Sequence, residues 1–387
     1  MREKTMSFLP YAKQWIEEDD IQAVLETLKS DFMTRGPKVA EFEKALCEYT
    51  GAKYAVVVAN GTAALHLAVL ALDVPEGLEG VTSTLTFAAS ANALCYGRLK
   101  PILADICPHT WNMTPEELKG RVTEKTKVII PVHFAGRPVN IESISKLTKS
   151  RGIAVIEDAA HSFGSSYTDG SKVGSCSHSD MTILSFHPVK TIATGEGGAI
   201  MTNSNELYQK LVLLRGHGIT KDPSLLKENH GPWYYEMQAL GYNYFFTDFQ
   251  AALGCSQLKK IGRIVRRRQE IFDTYTAAFE RMEGVRLPAP VTSETCHHIY
   301  ALRVDYEGLG MTRVEVMAKL KDRGIGTQVH YLPVHMHPFY RENFGYREGD
   351  FPVAEKHYRQ ALSIPLYPAM TDDDVSRVID GVKGVLA

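Results

Sequence analysis

Three short segments carry residue types that can do chemistry together. Asn60-Gly61-Thr62-Ala63 follows an apolar run and opens a helical pattern. The first N–H groups of a helix have no partner within it and point outward, which suits a phosphate dianion, and the Thr62 hydroxyl can add a bond. Turn and cap requirements alone also place Gly and Thr at such junctions. Ala154-Val-Ile-Glu-Asp-Ala-Ala-His161 ends an apolar run on acid. A carboxylate there is costly unless a cation meets it, and a protonated pyridine nitrogen would be such a cation; Asp158 can equally cap a helix that follows. Ser185-Phe-His-Pro-Val-Lys190 precedes the glycine-rich Thr194-Gly-Glu-Gly-Gly198. A lysine hemmed in by Pro188 and such a turn is less free to be a solvated tail. Partly desolvated, its amine loses its proton more readily and can attack an aldehyde.

The elements that must hold these segments alternate. Strand patterns cover Tyr54–Val58, Pro101–Ala104, Val128–Val132, Ala154–Glu157, Thr182–Phe186 and Ala199–Thr202. Helical patterns lie between several of them, such as Thr62–Leu72 and Ile141–Ser150. Continuous apolar strands separated by helices predict a buried, mainly parallel sheet, with ligands gathering beyond the carboxyl ends of its strands. After about Cys255 the pattern changes. A long charged helix over Gln257–Met282, a strand over Tyr300–Val304, a helix over Arg313–Arg323 ending at Gly324 and a strand over Gly326–His330 predict a smaller α+β unit. The boundary falls near residue 256. Thr220–Gly241 has little periodicity; it is either a functional loop or an excursion whose aromatics pack on its own domain.

Composition narrows the classes. Basic and acidic residues number 43 and 45, for a net charge of -2, so no electrostatic case for nucleic acid or an anionic membrane arises. The run Arg266-Arg267-Arg268 reads as a solvated helix face. No apolar stretch of about 18 residues occurs, so no membrane span is expected, and Met1–Tyr11 lacks a signal core. Six scattered cysteines without C-x-x-C spacing read as reduced thiols of a cytoplasmic protein. His330, His335 and His337 lie close together, but Tyr331-Leu-Pro333 interrupts any helix, so no metal is expected. His217 reads as a loop histidine, and His297-His298 as structural.

Taken together, the Gly-Thr-Ala turn, the Asp at a strand end and the downstream Ser-Phe-His-x-x-Lys resemble the pyridoxal-phosphate (PLP) sugar-nucleotide aminotransferases of the DegT/DnrJ/EryC1/StrS family. The resemblance spans nearly the whole chain. It runs from Thr34-Arg35-Gly36 through Thr86-Phe-Ala-Ala-Ser-Ala-Asn-Ala93 to His330-Tyr331-x-Pro333. It implies PLP fold type I (aspartate aminotransferase-like), α/β, with a large PLP-binding domain over residues 1–255 and a small C-terminal domain over 256–387.

The resemblance also implies roles. Lys190 would form the Schiff base with the cofactor and act as base and acid, and Asp158 would pair with the pyridine nitrogen. Phe87 would stack on the ring. Gly61, Thr62 and Ser185 would hold the phosphate, with Asn243 supplied by the other subunit of a homodimer. His161 would lie near the ring's phenolic oxygen, where many relatives have Gln. Tyr11, Thr34, His330 and Tyr331 would meet the substrate. Within the family, Gly231-Pro-Trp-Tyr-Tyr-Glu-Met237 followed by Leu240-Gly-Tyr-Asn243 most resembles PseC-type enzymes. Those move an amino group from L-glutamate to C4 of a UDP-4-keto-6-deoxy-N-acetyl-hexosamine on the way to pseudaminic acid; ArnB-type enzymes, acting on a UDP-4-keto-pentose, are the nearest rival.

One departure stands out. Relatives read Gly-x-Asn-x-Arg where this chain has Gly241-Tyr-Asn-Tyr-Phe245. An arginine there can meet a phosphate or carboxylate by bidentate bonds, and phenylalanine cannot. Two other classes remain as alternatives. Sugar dehydratases of the same fold carry a histidine at the lysine position, which Lys190 argues against. A non-catalytic regulator would not need lysine, aspartate and phosphate turn together.

Overall fold

Seven strands form the central sheet: β1 Tyr54–Val58, β2 Glu79–Ser83, β3 Lys100–Ala104, β4 Thr126–Ile130, β5 Ala154–Asp158, β6 Met181–Ser185 and β7 Gly198–Thr202. They come from a computed structural model that describes residues 7–291 and 294–386. The reading of Met1–Tyr11 therefore falls, at residues 1–6, outside the described residues. The sheet order is β1-β7-β6-β5-β4-β2-β3. β7 runs antiparallel to both its neighbours, and the other pairings are parallel. Reversed twice, β1 and β6 point the same way, so their carboxyl ends share one edge with those of β2 to β5.

β2, β6 and β7 are buried along their whole length, as strands covered on both faces are. That explains the unbroken apolar runs. β2 is the exception and escaped the sequence reading. Its residues are Glu-Gly-Val-Thr-Ser, with Gly80 giving way to the Leu94 side chain and Thr82 Oγ1 donating to the Ile130 carbonyl at 2.7 Å. The helix Gly61–Ala71 is buried almost all round, which its Ala- and Leu-rich sequence permits.

A two-stranded pair, β8 Ile219–Thr220 and β9 Glu236–Met237, ties the base of the long loop. Trp233, Tyr235 and Leu240 are exposed, so these side chains do not pack on their own domain. A second sheet is antiparallel: β10 Val285–Arg286, β11 Tyr300–Val304 and β12 Ala361–Ile364. Its core gathers Ile271, Tyr275, Tyr300, Leu320 and Val378, and Leu9 joins it from the amino-terminal segment.

Three expectations in this half need correction. The long helix is two helices, Asp248–Lys259 and Ile261–Phe279, because the chain bends at Lys260. Gly326–His330 is no strand; only Gln328 bridges to Ser363, and the segment otherwise runs irregularly. The Arg266–Arg268 run is a solvated face only in part, since Arg266 is exposed and Arg267 half-buried. Arg268 is fully buried and donates to the carbonyls of His297, His298 and Leu366.

Glu157, one residue before Asp158, points to the opposite face of β5. It is buried and accepts from Tyr167 (2.5 Å), Ser179 (2.6 Å) and Thr182 (3.0 Å), with His133 Nε2 at 3.1 Å. Burial pushes its carboxyl up, but His133 and the hydroxyls outweigh this and hold it below the usual range. Glu157→Ala would leave these partners facing a void. The expected loss is about 3–5 kcal/mol of unfolding free energy, read as a lower urea midpoint. A loss under about 1 kcal/mol would contradict the account.

Candidate active site

A cavity of about 880 Å³ opens at the carboxyl edge of the sheet. Its walls are the segments that leave the strands: Asn60, Gly61 and Thr62 after β1, Thr86 and Phe87 after β2, Val132 after β4, Asp158 and His161 at β5, and Ser185 at β6. The loop from β6 to β7 adds His187, Lys190 and Glu196. Tyr11, Gln328, His330 and Tyr331 close it from the second layer. Lys190 and Asp158 thus face one volume.

The turn after β1 is pinned. Asn60 caps the helix, its Oδ1 accepting from Ala63 N at 2.8 Å and its carbonyl from Ala64 N at 3.1 Å. The N–H groups of Gly61 and Thr62 remain for a ligand. Gly198 of β7 sits opposite both Val58 and Ser185. A Cβ on it would stand 2.5 Å from the Asn60 carbonyl oxygen, and one on Gly61 would stand 3.2 Å from Ser185 Oγ. Two glycines therefore let the turn, the serine hydroxyl and β7 converge on one cradle.

Asp158 is buried. Its Oδ2 accepts from Ser90 Oγ at 2.6 Å and its Oδ1 from Ala160 N at 3.1 Å. Ser90 is itself tied to Thr86 Oγ1 at 2.8 Å. No helix follows; residues 160–164 form turns. The helix-cap reading is overturned, because the carboxylate bonds a turn N–H and keeps an edge toward the cavity. Among the described residues no basic side chain forms an ion pair with it. A buried carboxylate in that state awaits a cation.

Lys190 has the opposite problem. Burial drives its amine down from 10.5 to about 8; the Asp158 charge opposes this and Arg268 adds to it. His161 is buried with Nε2 3.0 Å from the Tyr331 hydroxyl and its ring 4.5 Å from that of His298. Among the described residues its Nδ1 has no hydrogen-bond partner. Burial first, and then the neighbouring Lys190, hold it well below the usual histidine range. His330 bonds Ser363 Oγ at 2.8 Å and is lowered to about 3, chiefly by burial.

Not every expected residue lies here. Thr34 and Asn243 are exposed and outside this chain's cavity; Thr34 bridges to Thr247, and Asn243 to Gly216. His335 has both ring nitrogens engaged, by Thr84 at 2.7 Å and Glu355 at 3.0 Å, and does not converge with His330. His297 stacks on Phe272 with ring centroids 3.6 Å apart, a structural place. His217 is a loop residue whose N–H donates to the Tyr242 carbonyl. Ser90 was missed as a partner of Asp158. The signal was present in Thr86 and Ser90, spaced i,i+4 within a motif already singled out. His66, Tyr96 and Tyr244, which also line the cavity, gave no signal, since isolated ring residues look like core.

The donor set fits PLP. It offers an anion cradle, an amine of lowered basicity, the exposed ring of Phe87 at the mouth and, among the described residues, a buried carboxylate in no ion pair and a buried imidazole nitrogen without a hydrogen bond.

Comparison with known proteins agrees. Residues 14–383 match the model of the DegT/DnrJ/EryC1/StrS aminotransferase family. The chain belongs to that family: it is a sugar aminotransferase, a PLP-dependent transaminase of fold type I. It is 42% identical over 389 residues to the spore coat polysaccharide biosynthesis protein SpsC of Bacillus subtilis, covering 100% of this chain and 99% of that one. Among solved structures it is similar to Helicobacter pylori PseC, an aminotransferase involved in pseudaminic acid biosynthesis (TM-score 0.91, 30% identity, 98% and 99% of the two chains). Spr1654 of Streptococcus pneumoniae, solved in its PLP form, gives a TM-score of 0.88 at 30% identity, covering 98% of each chain.

The lowered basicity of Lys190 has a measurable consequence. In cofactor-free protein its reductive methylation, followed residue by residue by mass spectrometry, should rise through pH about 8, while surface lysines rise near 10.5. Asp158→Asn removes the one charge that stabilises the ammonium, so the midpoint should fall further. A midpoint that rises in that variant would contradict the electrostatic account.

Proposed function

We propose that this enzyme takes the amino group of L-glutamate and delivers it to C4 of a UDP-4-keto-6-deoxy-N-acetyl-hexosamine, and that Lys190 and Asp158 are its catalytic pair. One observation carries the reading: an amine of lowered basicity and an unpaired buried carboxylate line the same cavity. Bound there, PLP would supply an electron sink for the pair left when a Cα–H bond breaks. The rest falls to the chain. Gly61, Thr62 and Ser185 hold the phosphate, and Asp158 keeps the pyridine nitrogen protonated. Phe87 covers the ring face, and His161, neutral and oriented by Tyr331, meets the phenolic oxygen. Lys190 would anchor the cofactor and, once freed by the donor's amine, would serve as the base that takes the Cα proton and the acid that gives it back. The same steps run in reverse on the keto sugar. Tyr11, His330 and Tyr331 contact that sugar nucleotide within this chain's cavity, and Thr34, which lies outside it, would do so only in a neighbouring subunit's site.

The sugar rests on the likeness to PseC across nearly the whole chain. A second reading is another nucleotide 4-keto sugar, the ArnB-type pentose included: the chain is 42% identical to SpsC and only 30% to PseC, so likeness to PseC does not single out its sugar. We further propose a homodimer with shared sites: Asn243 is exposed away from this chain's own cavity, as a residue given to a neighbour would be. The two-domain division near residue 256 is supported by the bend at Lys260 and by the separate core around Tyr275 and Tyr300. A cytoplasmic setting is supported by six cysteines, all free. No helix among the described residues is long and apolar enough to cross a membrane.

The test is a panel of amino donors and UDP- and dTDP-linked 4-keto sugars, read by the cofactor's spectrum in each half-reaction. L-Glutamate and the UDP-4-keto-6-deoxy-N-acetyl-hexosamine should give the highest kcat/KM. Asp158→Asn should retain PLP and lose most of the rate, on the order of a hundredfold or more. Near-parental turnover in that variant would refute the role given to Asp158, and a preference for a pentose would refute the sugar.

A further inference from the structure

Position 245 carries phenylalanine where an arginine would be expected, yet a guanidinium is present there from another segment. The Arg35 guanidinium carbon lies 4.7 Å from the centroid of the Phe245 ring. The placement is built into the fold. Asp248, fully buried, accepts from the N–H of Gly36 at 2.8 Å and of Lys38 at 2.9 Å, and its own N–H donates to the Met33 carbonyl at 3.0 Å. Thr34 bridges to Thr247 on the same seam. A Cβ on Gly36 would stand 2.7 Å from the Asp248 carboxylate, so the turn closes tightly on its clamp. Arg35 itself sits at φ 60, a left-handed conformation that a non-glycine residue keeps only where its surroundings fix it.

The side chain so placed is exposed and, among the described residues, forms no ion pair. Stacking on a ring takes up the face of a guanidinium and leaves its N–H edge for a second contact. Two residues away from Phe245 is Asn243, also exposed and held by its bridge to Gly216. Arg35 and Asn243 are thus both exposed, one stacked on Phe245 and the other two residues before it.

We propose that Arg35, stacked on Phe245, supplies the oxyanion contact that an arginine at 245 would otherwise make, reaching with Asn243 into the neighbouring subunit's cavity. The oxyanion is the α-carboxylate of the amino donor or a phosphate, both of which a guanidinium fork grips by paired hydrogen bonds. This rests on the shared-site dimer proposed above.

Two measurements test it. Holoenzyme is mixed with L-glutamate and the cofactor's spectral change is followed; cofactor-free protein is titrated calorimetrically with glutarate and with inorganic phosphate. If the contact is to a carboxylate, Arg35→Ala should raise the half-saturating glutamate concentration and the glutarate Kd by on the order of tenfold or more. If it is to a phosphate, the phosphate Kd should rise by that factor with the glutamate dependence unchanged. Phe245→Arg added to Arg35→Ala should restore most of the loss, and Arg35→Lys should not, because an ammonium lacks the fork. The proposal is overturned if Arg35→Ala leaves glutamate dependence and both titrations within about twofold of the parent. Failure of Phe245→Arg to rescue, or dissociation of Arg35→Ala to monomers on size exclusion, overturns it as well. A parent protein that runs as a monomer or shows no glutamate-driven spectral change defeats the dimeric transaminase reading instead; the two titrations still decide whether Arg35 binds an oxyanion.

Discussion

Removing charge from water is costly, and one cavity here holds an amine and a carboxylate that cannot both be left bare. The two residues meet the cost in different ways. Lys190 meets it by losing basicity, down to about 8. Asp158 meets it with hydrogen bonds from Ser90 and the Ala160 N–H, and its charge in turn favours the Lys190 ammonium. The rest of the fold can be read as the apparatus that keeps these two groups at fixed places around one cavity.

The apparatus depends on the reversed strand. Because β7 runs against β1 and β6, its first residue, Gly198, stands beside the turn after β1 and beside Ser185 at once. Any side chain there would push the Asn60 carbonyl away and open the cradle. On the far side, the second layer supplies Tyr331 and His330, and with them the contact that orients His161. Arg268 ties that layer together by binding the carbonyls of His297, His298 and Leu366, and its charge also bears on Lys190. One buried guanidinium thus links the packing of the smaller sheet to the basicity of the lysine.

Much of this was legible in the sequence, for a physical reason. Strands buried on both faces write themselves as apolar runs, and six of the seven in the central sheet did so. β2 did not, because a helix side chain, Leu94, fills the place of its missing bulk at Gly80. The places of Lys190, Asp158 and Gly61 around the cavity were readable because each lies at or beyond the carboxyl end of a strand, where ligands gather. Ser90 carried a local signal, its i,i+4 spacing from Thr86, but the partner that signal served, Asp158, lies 68 residues away. Arg268 was misread because three successive arginines look like a wet surface; a carbonyl cage built from distant segments has no local signature. The bend at Lys260 was hidden for a similar reason, as the helical pattern continues through it. What remained dark was set by tertiary packing rather than by local preference.

The central claim is that the amine of Lys190 is the one that joins the cofactor's aldehyde. Borohydride reduction of the PLP-loaded enzyme fixes that link, and proteolysis with mass spectrometry locates it. The account predicts one phosphopyridoxyl group per chain, on Lys190, and none in Lys190→Ala treated alike. A label on any other lysine in the parent enzyme, or an undiminished label in the variant, would contradict it.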